Sequence, residues 1–134
     1  MASIFSRIIQ GEIPSYKIAE NEEFIAILDA FPLVEGHSLV IPKKEIDLIW
    51  DLDKSSYGRL MDFVYDVAQA IGKSVECVRV GEAVIGLEVP HVHVHLVPLN
   101  SMEDINFTRP KKQFSPEKME EIAAKIRGNF STLS

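Results

Sequence analysis

The sequence predicts an α+β fold, with about five antiparallel strands, helices packed largely on one face of the sheet and an extra helix near the C-terminus. Three observations lead there. Residues 16–20 and 24–29 are strand-like runs joined by the tight polar connection Asn21-Glu22, the pattern of a hairpin. Over residues 54–73, Tyr57, Leu60, Met61, Val64, Val67, Ala68 and Ile71 recur at spacings of three and four, an amphipathic helix with a stripe wide enough to cover a sheet. Strand and helix patterns do not alternate regularly, which disfavours a parallel βαβ arrangement.

The elements follow in order. Residues 1–12 read as a short amphipathic helix, with Ser3 as cap and Ile4, Phe5, Ile8 and Ile9 at helical spacing. Gly11 ends it, and Ile13-Pro14 opens an extended turn. Asp29 closes the second strand ahead of Phe31-Pro32, either as a turn-former or as a carboxylate aimed at ligand hydroxyls. Residues 33–36 form a loop, and residues 37–42 a buried-type strand stopped by Pro42, with Lys43-Lys44 at its solvated exit. Residues 45–52 are irregular or a helical turn, and Asp53 caps the long helix, which Gly72 frays. A strand is expected over 76–81, a connection with Gly86 as its flexible point over 82–90, and a strand over 91–98 closed by Pro98. Residues 100–112 are polar and irregular. Ser115-Pro116-Glu117 is a helix start, with Ser at the cap, Pro in the first turn and an acid beside it. That helix runs to about Arg127 with Met119, Ile122, Ala123 and Ile126 on one stripe, and residues 129–134 are expected to fray.

Composition narrows the function classes. A net charge of −6 disfavours a general nucleic-acid coat, which needs a basic face. The lone cysteine, Cys77, excludes an internal disulfide and suits a reducing compartment. No leader pattern opens the chain and no apolar run approaches membrane-spanning length, so a cytoplasmic protein with no membrane partner is expected.

The chemistry is concentrated in His91-Val92-His93-Val94-His95-Leu96-Val97-Pro98, which holds three of the chain's four histidines; the fourth is His37. At period two, a strand places three imidazoles on one face and Val92, Val94 and Leu96 on the other. Four readings compete. Three structural histidines would leave six ring nitrogens to satisfy. Three imidazoles resemble a catalytic zinc shell. A neutral imidazole, held by an acceptor at one nitrogen, can attack phosphorus with the other. The same cleft can also bind a nucleotide without reacting.

The run matches the His-φ-His-φ-His-φ-φ signature of the histidine triad (HIT) family, which the chain resembles over residues 3 to about 99. Ile4-Phe5-Ser6-Arg7-Ile8-Ile9, Gly11-Glu12-Ile13-Pro14-Ser15, Leu28-Asp29 and Gly36-His37-Ser38-Leu39-Val40-Ile41-Pro42-Lys43 are similar to the family's other blocks, in the right order. The resemblance implies the family's five-stranded fold, with a HIT domain at 1–110 and a helical extension at 111–134. It also implies a homodimer through the long helix and the strand at 76–81. The implied chemistry is hydrolysis or transfer at a nucleotide α-phosphate, without cofactor or metal. Carried over by position, His93 is the nucleophile, held by the backbone carbonyl of His91. The His91 side chain is oriented by His37, and His95 contacts the phosphate or the leaving-group bridge. Asp29 takes the ribose hydroxyls, and Phe5, Ile8, Ile13 and Ile27 form the slot for a purine base. Ser3 and Ser6 stand where some members carry a Cys-x-x-Cys zinc pair, which disfavours a structural zinc. Val80, Leu87 and Glu88 stand where the family places amide and hydroxyl side chains against the phosphates or leaving group. The helix at 115–127 is expected to be a packing appendage, with covering the pocket or extending the dimer as alternatives.

Overall fold

The computed structural model describes residues 2–131. A helix α1 (Ile4–Ile9) precedes strands β1 (Lys17–Glu20), β2 (Phe24–Leu28) and β3 (Ser38–Pro42). A 3-10 turn (Ile49–Asp51) leads into the long helix α2 (Lys54–Ser74), followed by β4 (Arg79–Ala83) and β5 (Val94–Leu99). A second 3-10 turn (Met102–Ile105) and helix α3 (Pro116–Asn129) complete the chain. The five strands form one sheet in the order β1-β2-β3-β5-β4, with every pair antiparallel.

The hairpin between β1 and β2 is closed by a side chain: Asn21 Oδ1 accepts the N–H groups of Glu23 at 2.9 Å and Phe24 at 2.8 Å. Every residue of β2 and β3 is buried, because both faces of the sheet are covered there. On one face Ala26, Leu28, Val40, Val94 and Leu96 meet Leu60, Phe63, Val67 and Ile71 of α2 and Met119, Ile122, Ala123 and Ile126 of α3. On the other face a smaller cluster gathers Phe5, Ile25, Ile27, Leu39 and Ile41 under α1. This second face carries the site.

The caps expected at Ser3, Asp53 and Ser115 are present, each side chain accepting the N–H three residues on. Other boundaries move. Gly72 does not end α2, which runs on to Ser74, where the Asn129 side chain bonds the Ser74 hydroxyl at 2.8 Å. The fourth strand begins at Arg79, three residues later than 76–81. Pro98 does not close β5 but lies inside it, opposite Val80. Pairing with β3 ends at Leu96, so from there β5 has only β4 beside it and tolerates a proline as an edge strand does. The strand also starts at Val94 rather than His91, which leaves His91 on a bend, its N–H bonded to Val89 O, and Val92 N–H bonded to Ile46 O. α3 packs on α2 and β1, across the sheet from the site, so it does not cover the pocket. The frayed end expected over 129–134 reaches past the described residues, and Asn129 itself is helical.

One glycine matters for the site. Gly36 has φ +89°, and a Cβ there would meet Val75 Cγ2 at 2.8 Å and Pro98 Cγ at 3.2 Å. The turn it makes delivers His37 to the start of β3, where His37 O accepts the Asp29 N–H at 3.0 Å.

Candidate active site

Three of the four imidazoles, His37, His93 and His95, line a cavity of about 510 Å³ on the α1 face of the sheet, a volume that suits a small-molecule ligand. Their protonation states follow from their partners. The backbone N–H of Leu33 donates to His37 Nδ1 at 3.0 Å, so Nδ1 holds a lone pair. The His37 proton therefore sits on Nε2, which donates to His95 Nδ1 at 3.0 Å. His95 then carries its proton on Nε2. Burial is the main force keeping both rings neutral, and neighbouring positive charge adds to it; together they bring His37 down to about 3 and His95 down to about 4.

His93 is wired the other way. Its Nδ1–H donates to the His91 carbonyl at 2.7 Å, which leaves the lone pair on Nε2. Burial also lowers its pKa, partly opposed by that carbonyl, so the ring is neutral and basic at Nε2 at neutral pH. The Phe5 ring stands edge-on to it with centroids 4.8 Å apart, and His95 stands 4.9 Å away on a similar edge contact.

His91 does not line the cavity. It is fully buried, with Nε2–H donating to Pro42 O at 2.7 Å and Nδ1 accepting the Ser3 hydroxyl at 2.6 Å. Glu45 Oε1 accepts both the Ser3 N–H and the Ser6 hydroxyl, each at 2.7 Å. The expectation that His37 orients the His91 ring is thus corrected. The bend ahead of β5 turns His91 towards α1, and the ring beside His37 is His95. The three imidazoles still share the α1 face, with Val92, Val94 and Leu96 in the core on the other side, but His91 is buried against α1 and not open to the cavity.

Asp29 lines the cavity with Oδ1 accepting the Phe31 N–H at 2.9 Å and Oδ2 3.6 Å from His37 Nε2. With His37 neutral that approach is not an ion pair, and burial raises the Asp29 carboxyl above the ordinary range. Phe5, Ile8 and Ile27 line the cavity together with Leu39, Tyr16 and Phe31. Ile13 does not: it is half-buried outside the lining, where the extended turn at Pro14 brings Pro14 and Ser15 inward instead. Leu87 and Glu88 stand at the rim, Leu87 being 89% exposed. Val80 lies apart, packed against the helix-side core from β4.

Asp29, His37 and His95 bring one potential ligand atom each within 4.8 Å of one another. The set fits a metal poorly, because His37 Nδ1 already accepts a backbone N–H and a metal on Nε2 would require the imidazolate.

Sequence reasoning missed four contributors. Ser3 is legible as a helix cap and as the first of the Ser3-x-x-Ser6 pair but not as a partner of His91, and Glu45 only as part of an irregular stretch. Phe107 and Lys111 line the cavity from the polar segment 100–112, with the Phe107 ring 4.7 Å from that of His95. The available signals were the Ser3-x-x-Ser6 spacing and a single aromatic residue within a polar run.

The sequence model of the HIT domain matches residues 10–102. The chain is 35% identical over 133 residues to adenosine 5'-monophosphoramidase hnt1 of Schizosaccharomyces pombe, covering 95% of this chain and all of that protein. Among solved structures, a HIT-like protein involved in cell-cycle regulation from Bartonella henselae superposes with a TM-score of 0.82 at 28% identity, covering 96% of each chain. A hypothetical histidine triad nucleotide-binding protein from Sulfolobus tokodaii gives a TM-score of 0.80 at 30% identity, covering 93% of this chain and 89% of the other. With the domain match spanning most of the chain and the same fold at both ends of these comparisons, the protein belongs to the HIT family.

Proposed function

We propose that the protein hydrolyses a purine nucleoside phosphoramidate, such as an AMP–amine conjugate, through a nucleotidyl-His93 intermediate. The observation that carries this reading is the 2.7 Å bond from His93 Nδ1–H to the His91 carbonyl, which leaves a neutral Nε2 as nucleophile. Nε2 attacks the α-phosphorus and the P–N bond to the amine breaks; a leaving nitrogen that arrives protonated departs as the neutral amine. The Nε2–H of His95, set by His37, donates to a phosphate oxygen as charge builds there. Water then cleaves the P–N bond to His93, releasing the nucleoside monophosphate and restoring the imidazole. Asp29 takes the ribose hydroxyls, and Phe5, Ile8, Ile27 and Leu39 flank the base. A dinucleoside polyphosphate is the second substrate class. The relative named for adenosine 5'-monophosphoramidase activity supports the first.

His93→Ala tests the assignment. Turnover of an AMP–amine conjugate should fall by at least ~100-fold with the fold intact. Unchanged turnover would remove the nucleophile.

A second reading, a nucleotide-binding protein with little catalysis, is favoured by one observation: the rim carries the exposed Leu87 and the acid Glu88 where the resemblance expects amide and hydroxyl groups. Calorimetry showing AMP binding without hydrolysis of any phosphoramidate would select it.

The reading includes a homodimer formed through α2 and β4. β4 is the outer strand of the sheet, and the apolar side chains of Tyr65 and Val78 are exposed on and beside these elements. A cytoplasmic location belongs to the same reading, and among the described residues no helix is long and apolar enough to cross a membrane.

A further inference from the structure

A phosphate in this cavity meets a charge problem. The lining imidazoles of His37, His93 and His95 donate and accept hydrogen bonds, but burial keeps them uncharged at neutral pH. Two carboxylates, Asp29 and Glu88, line the same cavity. Neutral donors stabilise phosphate oxygens through their dipoles but bring no net positive charge, and the two acids beside them oppose the entry of an anion.

Among the lining residues there is one lysine and no arginine: Lys111. Its Nζ donates to Phe107 O at 2.8 Å, which leaves two N–H groups of the ammonium for a ligand. Its charge reaches the site, acting on Asp29, His37 and His95 alike. The segment that presents it is tied down. Lys112 N–H donates to Pro32 O at 2.8 Å, across the β2–β3 loop that carries Asp29 and leads to His37. Arg109 Nη1 donates to Glu103 O at 2.8 Å, and Asn106 Oδ1 accepts the Thr108 N–H at 3.0 Å. Phe107 seals the same side, its ring edge-on to His95 at 4.7 Å and to His37 at 6.1 Å. Both residues lie beyond the stretch matched by the HIT domain, which ends at residue 102.

We infer that Lys111, held over the cavity by the strap of residues 106–112, is the cation that pairs with the substrate's phosphate, and so makes the site selective for a phosphorylated nucleoside over the nucleoside itself. This rests on the reading that a nucleotide occupies the cavity. The ammonium is a flexible point charge at the rim, so it serves the phosphate without dictating the leaving group.

Equilibrium binding separates this from the catalytic proposal. AMP and adenosine are titrated calorimetrically into the full chain and into Lys111→Gln, Lys111→Arg and Lys112→Gln. Lys111→Gln should weaken AMP by roughly tenfold and leave adenosine within about twofold, as loss of one charge-assisted contact predicts. Lys111→Arg should retain most of the AMP affinity, and Lys112→Gln should behave as the unaltered protein. The inference is overturned if Lys111→Gln binds AMP normally, if AMP and adenosine fall in parallel, or if the unaltered protein binds AMP no more tightly than adenosine. The hydrolysis reading is decided elsewhere, by turnover in His93→Ala.

Discussion

His91 and His37 are equally buried, and both have each ring nitrogen bonded, yet they do different work. His91 ends in acceptors and hydroxyls that belong to the scaffold. Through Pro42 O, Ser3 and Glu45 it pins α1 to the end of β3, and it reaches the His93 ring through its own backbone carbonyl. His37 ends in another imidazole. The direction of one backbone N–H, that of Leu33, decides which nitrogen of His37 carries the proton and hence which nitrogen of His95 does. Two equally buried histidines are thus distinguished by what lies at the far nitrogen, scaffold groups for His91 and a second cavity imidazole for His37, and burial alone does not separate them.

Acid should break the functional pair first. His37 and His95 have folded pKa values of about 3 and about 4, below their unfolded value, so the unfolded chain binds more protons as pH falls. Their stabilising contribution is complete above about pH 6.5 and is lost on descending towards pH 4 for His95 and pH 3 for His37. By pH 5 the loss should be about 4 kcal/mol for the two together, read from urea unfolding at a series of pH values. A flat profile between pH 7 and pH 5 would mean that the pair titrates normally.

His37→Leu should cut turnover roughly 10- to 100-fold, because the His95 tautomer is no longer set and the Leu33 N–H loses its acceptor. Nitrogen NMR of the His95 ring should show mixed tautomers, whereas a single Nε2–H form would contradict the wiring. His91→Leu should cost stability, about 1–3 kcal/mol, by stranding the Pro42 carbonyl and the Ser3 hydroxyl. Its effect on turnover should be smaller than that of His37→Leu, since the carbonyl at position 91 remains; the reverse order would erase the contrast. Ser3→Ala should be mildest, about 0.5–2 kcal/mol in chemical unfolding, from the lost cap of α1 and the lost partner of His91 Nδ1.

The parts visible in the sequence are those set by short-range patterns. The stripe from Tyr57 to Ile71 needs nothing outside its own helix to be read, and the caps at Ser3, Asp53 and Ser115 act within three residues. The alternation around His93 marked where the chemistry lies, and the resemblance supplied the family. What the pattern concealed was set by distant neighbours. The partner of His37 lies 58 residues away, and that of His91 lies 88 residues away. Pro98 reads as a stop unless it is known that β3 ends before it. Phe107 and Lys111 sit in a segment without periodicity, which long-range contacts bring to the cavity: the bond from Lys112 to Pro32 and the packing of Phe107 on His95 and His37.

Gly36 has a consequence for how this sequence can vary. Its missing side chain is filled by Val75, just past α2, and by Pro98 in β5, so three segments share one space beside His37. The side-chain sizes at these three positions are therefore sterically coupled. A larger residue at 75 or 98 closes the space further, and a smaller one leaves room for a methyl that the positive φ of Gly36 still resists. Substitutions at Val75 or Pro98, remote from any ligand, should alter how His37 holds its proton, and lineages that change one should carry a matching change in another.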